Sequence, residues 1–115
     1  MSIKASTRQT GSVTVVDLAG QIKLGEGSSV LRDTVKDLLG KGHTKILLNL
    51  GDVNYIDSTG IGELVSAFTS VRNQGGEMKL LHVTKRVRDV LQIMKLYTVF
   101  HVLDDETAAI AAFDS

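Results

Sequence analysis

The fold is decided by the stretch Lys45-Ile46-Leu47-Leu48-Asn49-Leu50, which is followed closely by Asn54-Tyr55-Ile56-Asp57-Ser58-Thr59-Gly60-Ile61-Gly62-Glu63. A short and nearly continuous apolar run predicts a strand that is covered on both faces of its sheet. After the polar segment, apolar residues recur at helical spacing from about Ser58 to Asn73. The stretch therefore predicts a buried strand that leads into the second helix of the chain.

The same alternation of strands and helices continues on both sides of this stretch. A glycine-punctuated loop is expected over Gly20 to Gly27, and Ser28 or Ser29 is expected to cap the first helix. Further strands are predicted at 13–18, 78–83 and 99–103, and further helices at 30–39, 87–94 and 106–113. This succession is typical of helices packed on a largely parallel sheet. We therefore predict an α/β fold with four to five strands and about four α-helices.

Composition limits the classes of function. The chain has 115 residues, 13 basic and 13 acidic residues and no cysteine, and we expect a single domain over residues 1–115. The absence of a basic excess argues against direct nucleic-acid binding, and the lack of cysteine excludes disulfides and thiolate chemistry. The longest apolar run is Ile46-Leu47-Leu48, far short of the roughly 20 residues that span a bilayer. We expect no membrane association and a reducing cytoplasm as the location.

The polar segment at the start of the second helix is the strongest candidate for a functional site. Asp57, Ser58 and Thr59 can each accept a hydrogen bond from a free N–H group at a helix start. Gly60 and Gly62 each cost up to about 1 kcal/mol inside a helix relative to alanine, which suggests a close approach to the backbone or an unusual φ. The segment is interpreted either as an N-cap with a tight helix–sheet contact or as a hydroxyl exposed to another protein. The two interpretations are compatible.

The segment Asp57-Ser58-Thr59-Gly60-Ile61-Gly62 resembles the STAS domain of anti-sigma factor antagonists, the small bacterial proteins that release a sigma factor from its inhibitor. Asn49-Leu50 at the end of the preceding strand, Gly75-Gly76 before the next strand and the order of elements fit the same family. The resemblance spans nearly the whole chain and implies the STAS fold. It also implies that Ser58, directly after the aspartate, is the phosphorylated residue.

The resemblance further implies a switch. With Ser58 unphosphorylated, the protein would bind and sequester an anti-sigma factor that is also a serine kinase, and so free a sigma factor for transcription. A metal-dependent serine phosphatase would reverse the phosphorylation. ATP and magnesium would belong to the kinase, so the chain itself is expected to need no cofactor and not to be an enzyme. It is expected to be a monomer or a weak dimer.

We predict that nine residues around the helix start contact the partner: Asn54, Tyr55, Asp57, Ser58, Thr59, Gly60, Gly62, Glu63 and Lys23. Tyr55 either packs beside Ser58 on the docking face or closes the loop. Lys23 departs from the family pattern, because family members often place an acidic residue shortly after the glycine that ends the first long strand, here Gly20.

Two other functions are compatible with the sequence: a STAS module of a larger signalling assembly, and a small-ligand or nucleotide-binding α/β domain. Ser58 lacks the glycine two positions earlier that a hydrolase nucleophile needs, since Ile56 stands there. The three histidines show no i, i+4 pairing that would suggest a metal site. The basic cluster Lys85-Arg86-Val87-Arg88 indicates a solvated helix start, and Met78 and Met94 are expected to fill the core.

Overall fold

A five-stranded sheet forms the centre of the protein in a computed structural model that describes residues 3–113. The strands lie side by side in chain order; the first pair is antiparallel and the other pairs are parallel. The strands are β1 Ile3–Thr10, β2 Val13–Ile22, β3 Lys45–Ile56, β4 Glu77–Leu81 and β5 Val102–Leu103. The helices are α1 Glu26–Gly40, α2 Ser58–Asn73, α3 Lys85–Ile93 and α4 Glu106–Ala112. The predicted α/β class and mostly parallel sheet are confirmed.

Both faces of the sheet bury apolar side chains. The larger core packs α1, α2 and α3 against one face, to which β3 contributes Ile46 and Leu48. The smaller core packs α4 against the other face, to which β3 contributes Leu47. The central strand is therefore covered on both sides, which is the reason that its sequence is apolar without alternation.

An arginine on β1 ties the short helix α4 to the sheet. The guanidinium of Arg8 donates to Asp17 on β2 at 2.7 Å and to Glu106 at the start of α4 at 2.7 Å. These hydrogen bonds lower the pKa of both carboxyl groups below their ordinary values. The ion pairs hold the outer strand and the last helix in place at neutral pH, where both carboxylates are charged.

The first strand was not predicted, because Ile3–Thr10 is polar and exposed along most of its length. It forms nevertheless, because β2 offers it a complete antiparallel ladder from Thr10 opposite Val13 to Ile3 opposite Gly20. Strand β2 extends to Ile22 and β3 extends to Ile56. The loop predicted over residues 20–27 therefore shrinks to residues 23–25.

The prediction that Ser28 or Ser29 caps the first helix is wrong. Helix α1 begins at Glu26, and its N-cap is Gly25 with φ +99°. Ser28 lies buried in the first turn, where its Oγ donates to the carbonyl oxygen of Lys23 at 3.0 Å. A side chain at Gly27 would overlap the backbone of Gln21, so the glycine lets the helix start early and close to the strand.

One core prediction is also wrong. Met78 is buried, as expected, but Met94 is 42% exposed. Met94 follows the last turn of α3, where the chain turns away through Lys95 with φ +59°.

No helix within residues 3–113 is both long enough and apolar enough to cross a bilayer.

Candidate functional site

A single carboxylate organises the start of α2. Asp57 is the N-cap residue, and its Oδ1 accepts a hydrogen bond from the N–H of Gly60 at 2.8 Å. Its Oδ2 accepts a hydrogen bond from the N–H of Leu24, in the loop between β2 and α1, at 3.1 Å. The N–H of Asp57 donates to the carbonyl oxygen of Ile22 at 3.3 Å. Asp57 therefore joins the end of β2, the following loop and the start of α2.

The charge of this carboxylate is stabilised by backbone donors. Partial burial by itself raises the pKa of Asp57, but the N–H groups of Gly60, Leu24 and Thr59 outweigh it and bring the pKa below its ordinary value. A negative charge is also favoured at the positive end of a helix. Asp57 is therefore ionised at neutral pH.

Replacement of this cap is expected to destabilise the fold in a pH-dependent way. We expect Asp57→Ala to lower the free energy of unfolding by about 1–2 kcal/mol at pH 7, because both hydrogen bonds to the carboxylate are lost. Since folding lowers the pKa of Asp57, its contribution is fully present above the ordinary aspartate pKa of about 4 and is lost as the pH falls through the folded value. Urea unfolding of the wild type and the variant at about pH 7 and about pH 3 measures the loss in the free energy of unfolding at each pH.

The matched control is Asp33→Ala on the exposed face of α1, where the carboxylate forms one long ion pair of 3.9 Å with Arg32. This change should alter the free energy of unfolding by no more than about 0.5 kcal/mol at either pH. A loss for Asp57→Ala that is as large at acid pH as at neutral pH would contradict a role for the charge.

Ser58 is the first residue of α2 and is exposed to solvent, as is Thr59. The expectation that Ser58 lies exposed at the amino end of the second helix is confirmed. Because the carboxylate of Asp57 supplies the cap, the fold does not rely on the Ser58 hydroxyl for this purpose. The hydroxyl can therefore accept a chemical group without loss of the N-cap.

The two glycines of the motif have different roles. A Cβ at Gly60 would overlap the carbonyl oxygen of Ile22 and lie 2.8 Å from Cγ1 of Ile56. This confirms a close approach of helix and sheet at Gly60. At Gly62 nothing lies within 4 Å of the Cβ position, so the same expectation is wrong there. Gly62 lies one turn after Ser58 on the same helix face and leaves the surface beside the hydroxyl low.

The remaining predicted contact residues lie around this helix start. Lys23 is exposed in the loop that follows β2, and Asn54 is an exposed extra residue of β3 that has no partner in the register with β2. Tyr55 is half-buried, with the guanidinium of Arg86 5.6 Å from the centre of its ring. The carboxylate of Glu63 accepts from Arg32 on α1 at 3.2 Å. The parallel strands β2 and β3 thus bring the nine residues to one edge of the sheet, where their carboxyl ends lie.

Sequence reasoning missed two exposed residues at this edge. Leu24 is 74% exposed although it is a large apolar residue, and its N–H contacts Asp57. The sequence feature that could have indicated its exposure is an isolated leucine inside a glycine-rich loop. Arg86 was interpreted only as part of a solvated helix start, and it is exposed at the start of α3. Its position over Tyr55 depends on the tertiary structure alone.

Known proteins resemble this chain in sequence and in fold. The STAS domain model matches residues 4–109. The anti-sigma-B factor antagonist of Bacillus subtilis is 31% identical over 102 residues, which cover 89% of this chain and 92% of that protein. The crystal structure of an anti-sigma factor antagonist from Mycobacterium paratuberculosis aligns with a TM-score of 0.83 at 16% identity, over 99% of this chain and 96% of that one.

The Bacillus cell fate determinant SpoIIAA in its phosphorylated form aligns with a TM-score of 0.73 at 21% identity, over 95% of this chain and 98% of that one. At these identities the structural matches establish the fold, whereas the family match rests on sequence. The chain belongs to the STAS domain family and, within it, to the anti-sigma factor antagonists.

Proposed function

We propose that this protein is a phosphorylation-controlled switch in which the state of Ser58 decides whether an anti-sigma factor is bound. The unphosphorylated protein sequesters an anti-sigma factor that is also a serine kinase, and a sigma factor is thereby freed for transcription. A serine phosphatase restores the binding form. The observation that carries the proposal is the exposed Ser58 hydroxyl at the start of α2, beside a cap that does not use it.

The location explains how a phosphate could change binding without unfolding the chain. A phosphoserine adds about −1.5 to −2 charge at neutral pH. The amino end of a helix tolerates an anion because of its dipole and free N–H groups. The hydrogen bonds of Asp57 to Gly60 and Leu24 do not involve the Ser58 side chain. The fold therefore persists, while the low surface beside Gly62 becomes bulky, hydrated and strongly negative.

Similarity to SpoIIAA supports the proposal that phosphorylation leaves the fold unchanged. The structure of that protein in its unphosphorylated form also aligns with this chain, with a TM-score of 0.69 over 95% of this chain and 94% of that one. Both states of a relative thus share the fold of this chain.

The same geometry favours a binding protein over an enzyme. The carboxylate nearest to Ser58 along the chain is Asp57, and both of its oxygens already accept backbone hydrogen bonds. A general base must instead reach the proton that it removes. We therefore place the chemistry on the partner kinase and phosphatase, and assign this chain the role of their substrate, acting in the cytoplasm.

The test is phosphorylation by a defined kinase. Each serine kinase of the histidine-kinase-like ATPase fold from the source genome is produced recombinantly and incubated with the protein, ATP and magnesium. We expect one of them to add a single phosphate, which mass spectrometry maps to Ser58. Thr59→Ala should still be phosphorylated, whereas Ser58→Ala should not. Phosphate only on Thr59 would move the acceptor by one residue, and no phosphorylation by any of these kinases would contradict the proposal.

A further inference from the structure

Three exposed side chains belong to the segments that meet Ser58 at the carboxyl edge of the sheet: Lys23, Leu24 and Arg86. Leu24 lies next to the start of α2, because its N–H is 3.1 Å from Oδ2 of Asp57. Its side chain is nevertheless 74% exposed. The loop thus places an apolar side chain in solvent beside the proposed phosphorylation site.

Arg86 approaches the same edge from the opposite side. It belongs to the first turn of α3, which follows β4, whereas Lys23 and Leu24 follow β2. Its guanidinium lies 5.6 Å from the ring centre of Tyr55, three residues before Ser58. The adjacent cap residue Thr84 donates its hydroxyl to the carbonyl oxygen of Val53 at 3.3 Å. This hydrogen bond holds the start of α3 against the end of β3.

The basic and the acidic side chains at this edge differ in how far they are already bonded within the protein. Within residues 3–113, neither Lys23 nor Arg86 forms an ion pair, so both cations are available to a partner. Three neighbouring carboxylates are engaged: Asp57 by backbone N–H groups, Glu63 by Arg32 and Asp89 by Lys85. Asp52 is exposed but lies four residues before the end of β3.

We propose that Leu24 is the apolar anchor of the docking surface and that Arg86 and Lys23 are its two charged arms. The complementary surface on the anti-sigma factor kinase is then an apolar pocket flanked by carboxylates. This inference rests on the proposed function, since it describes the partner of the same site. A standard interface covers roughly 800 Å² on each partner, and a few well-packed anchors carry most of its affinity.

This arrangement also explains why a phosphate at Ser58 would act strongly. The phosphate would lie between Arg86 and Lys23, the two cationic side chains that would otherwise attract the carboxylates of the partner. Its charge of about −1.5 to −2 would offset both cations and repel those carboxylates. Attraction would thus change to repulsion at the centre of the interface.

The experiment measures binding to the kinase that phosphorylates Ser58 in the assay above, by surface plasmon resonance with ADP present. We expect Leu24→Ala to raise the Kd about tenfold. We expect Arg86→Glu to lower the association rate about tenfold at about 50 mM salt, and this difference should shrink at about 500 mM salt because screening weakens charge steering.

Two positions far from Ser58 provide matched controls. Ile93 at the end of α3 is 79% exposed, so Ile93→Ala removes an equally exposed apolar side chain. Arg72 in the last turn of α2 lies 5.7 Å from the ring centre of Phe68, so Arg72→Glu reverses another arginine that stacks on an aromatic ring. Both controls should bind within about twofold of the wild type, as is expected of positions outside an interface.

The outcomes separate the two proposals. If Leu24→Ala and Arg86→Glu bind like the wild type while Ser58→Asp binds poorly, the docking surface is wrong and the switch stands. If the distant controls lose as much affinity as the edge variants, the assignment to this edge is also wrong. If no kinase of this class binds or phosphorylates the wild-type chain, both proposals are wrong.

Discussion

Ser58→Asp is expected to weaken binding to the anti-sigma factor kinase by about thirtyfold or more, whereas Ser58→Ala is expected to bind with wild-type affinity and to resist phosphorylation. An unpaired charge at the centre of an interface costs about 2–5 kcal/mol, and 2 kcal/mol corresponds to about thirtyfold in Kd. Alanine adds neither bulk nor charge to the low surface beside Gly62. Isothermal titration calorimetry with the purified kinase measures both affinities.

The control for this prediction is Ser70→Asp, on an exposed part of the same helix. Ser70 lies twelve residues after Ser58, which corresponds to about 18 Å along the helix axis. The same charge at that distance should leave the affinity within about twofold of the wild type. Equal affinity of wild type, Ser58→Asp and Ser58→Ala would show that the state of Ser58 does not control docking.

Gly60→Ala is expected to be the most destabilising single methyl addition in the motif, with a loss of about 3 kcal/mol in the free energy of unfolding. The added Cβ would overlap the carbonyl oxygen of Ile22 and crowd the buried side chain of Ile56. Neither neighbour can shift without a large cost in free energy, because the Ile22 carbonyl belongs to strand backbone and the Ile56 side chain is packed in the core. Urea unfolding followed by circular dichroism measures the loss.

The matched control is Gly62→Ala, two residues later in the same helix. The Cβ position at Gly62 is open, so alanine should stabilise the helix by up to about 1 kcal/mol. The two substitutions are chemically identical and are expected to change stability in opposite directions. Equal effects of the two would contradict the close helix–sheet contact at Gly60.

Some parts of the site could be predicted from sequence because they depend on local rules. Helix α2 was predicted with the bounds that it has, Ser58–Asn73, since its apolar residues recur at helical spacing and Gly75 follows. The exposed position of Ser58 followed from the run of capping residues at its start. The identity of the cap did not follow, because Asp57, Ser58 and Thr59 are all good acceptors. The N–H of Leu24, which adds a second donor to Asp57, comes from another loop.

Other parts could not be predicted because they depend on partners that are distant in sequence. Strand β1 carries no apolar pattern and exists through its ladder with β2. The difference between Gly60 and Gly62 depends on where β2 passes behind α2. Likewise, Arg86 belongs to a charged helix start that looks solvated in the sequence, and only the packing of α3 beside β3 brings it over Tyr55.

The amino-acid sequence alone determined the α/β class, the apolar central strand and the motif at the second helix, because periodicity and capping act between residues a few positions apart. The tertiary structure was needed to establish which side chain caps that helix, which glycine packs against the strand backbone and which side chains lie near the helix start. These properties arise where the ends of β2, β3 and β4 meet, because Leu24 reaches Asp57 and Arg86 reaches Tyr55 only after the sheet has formed.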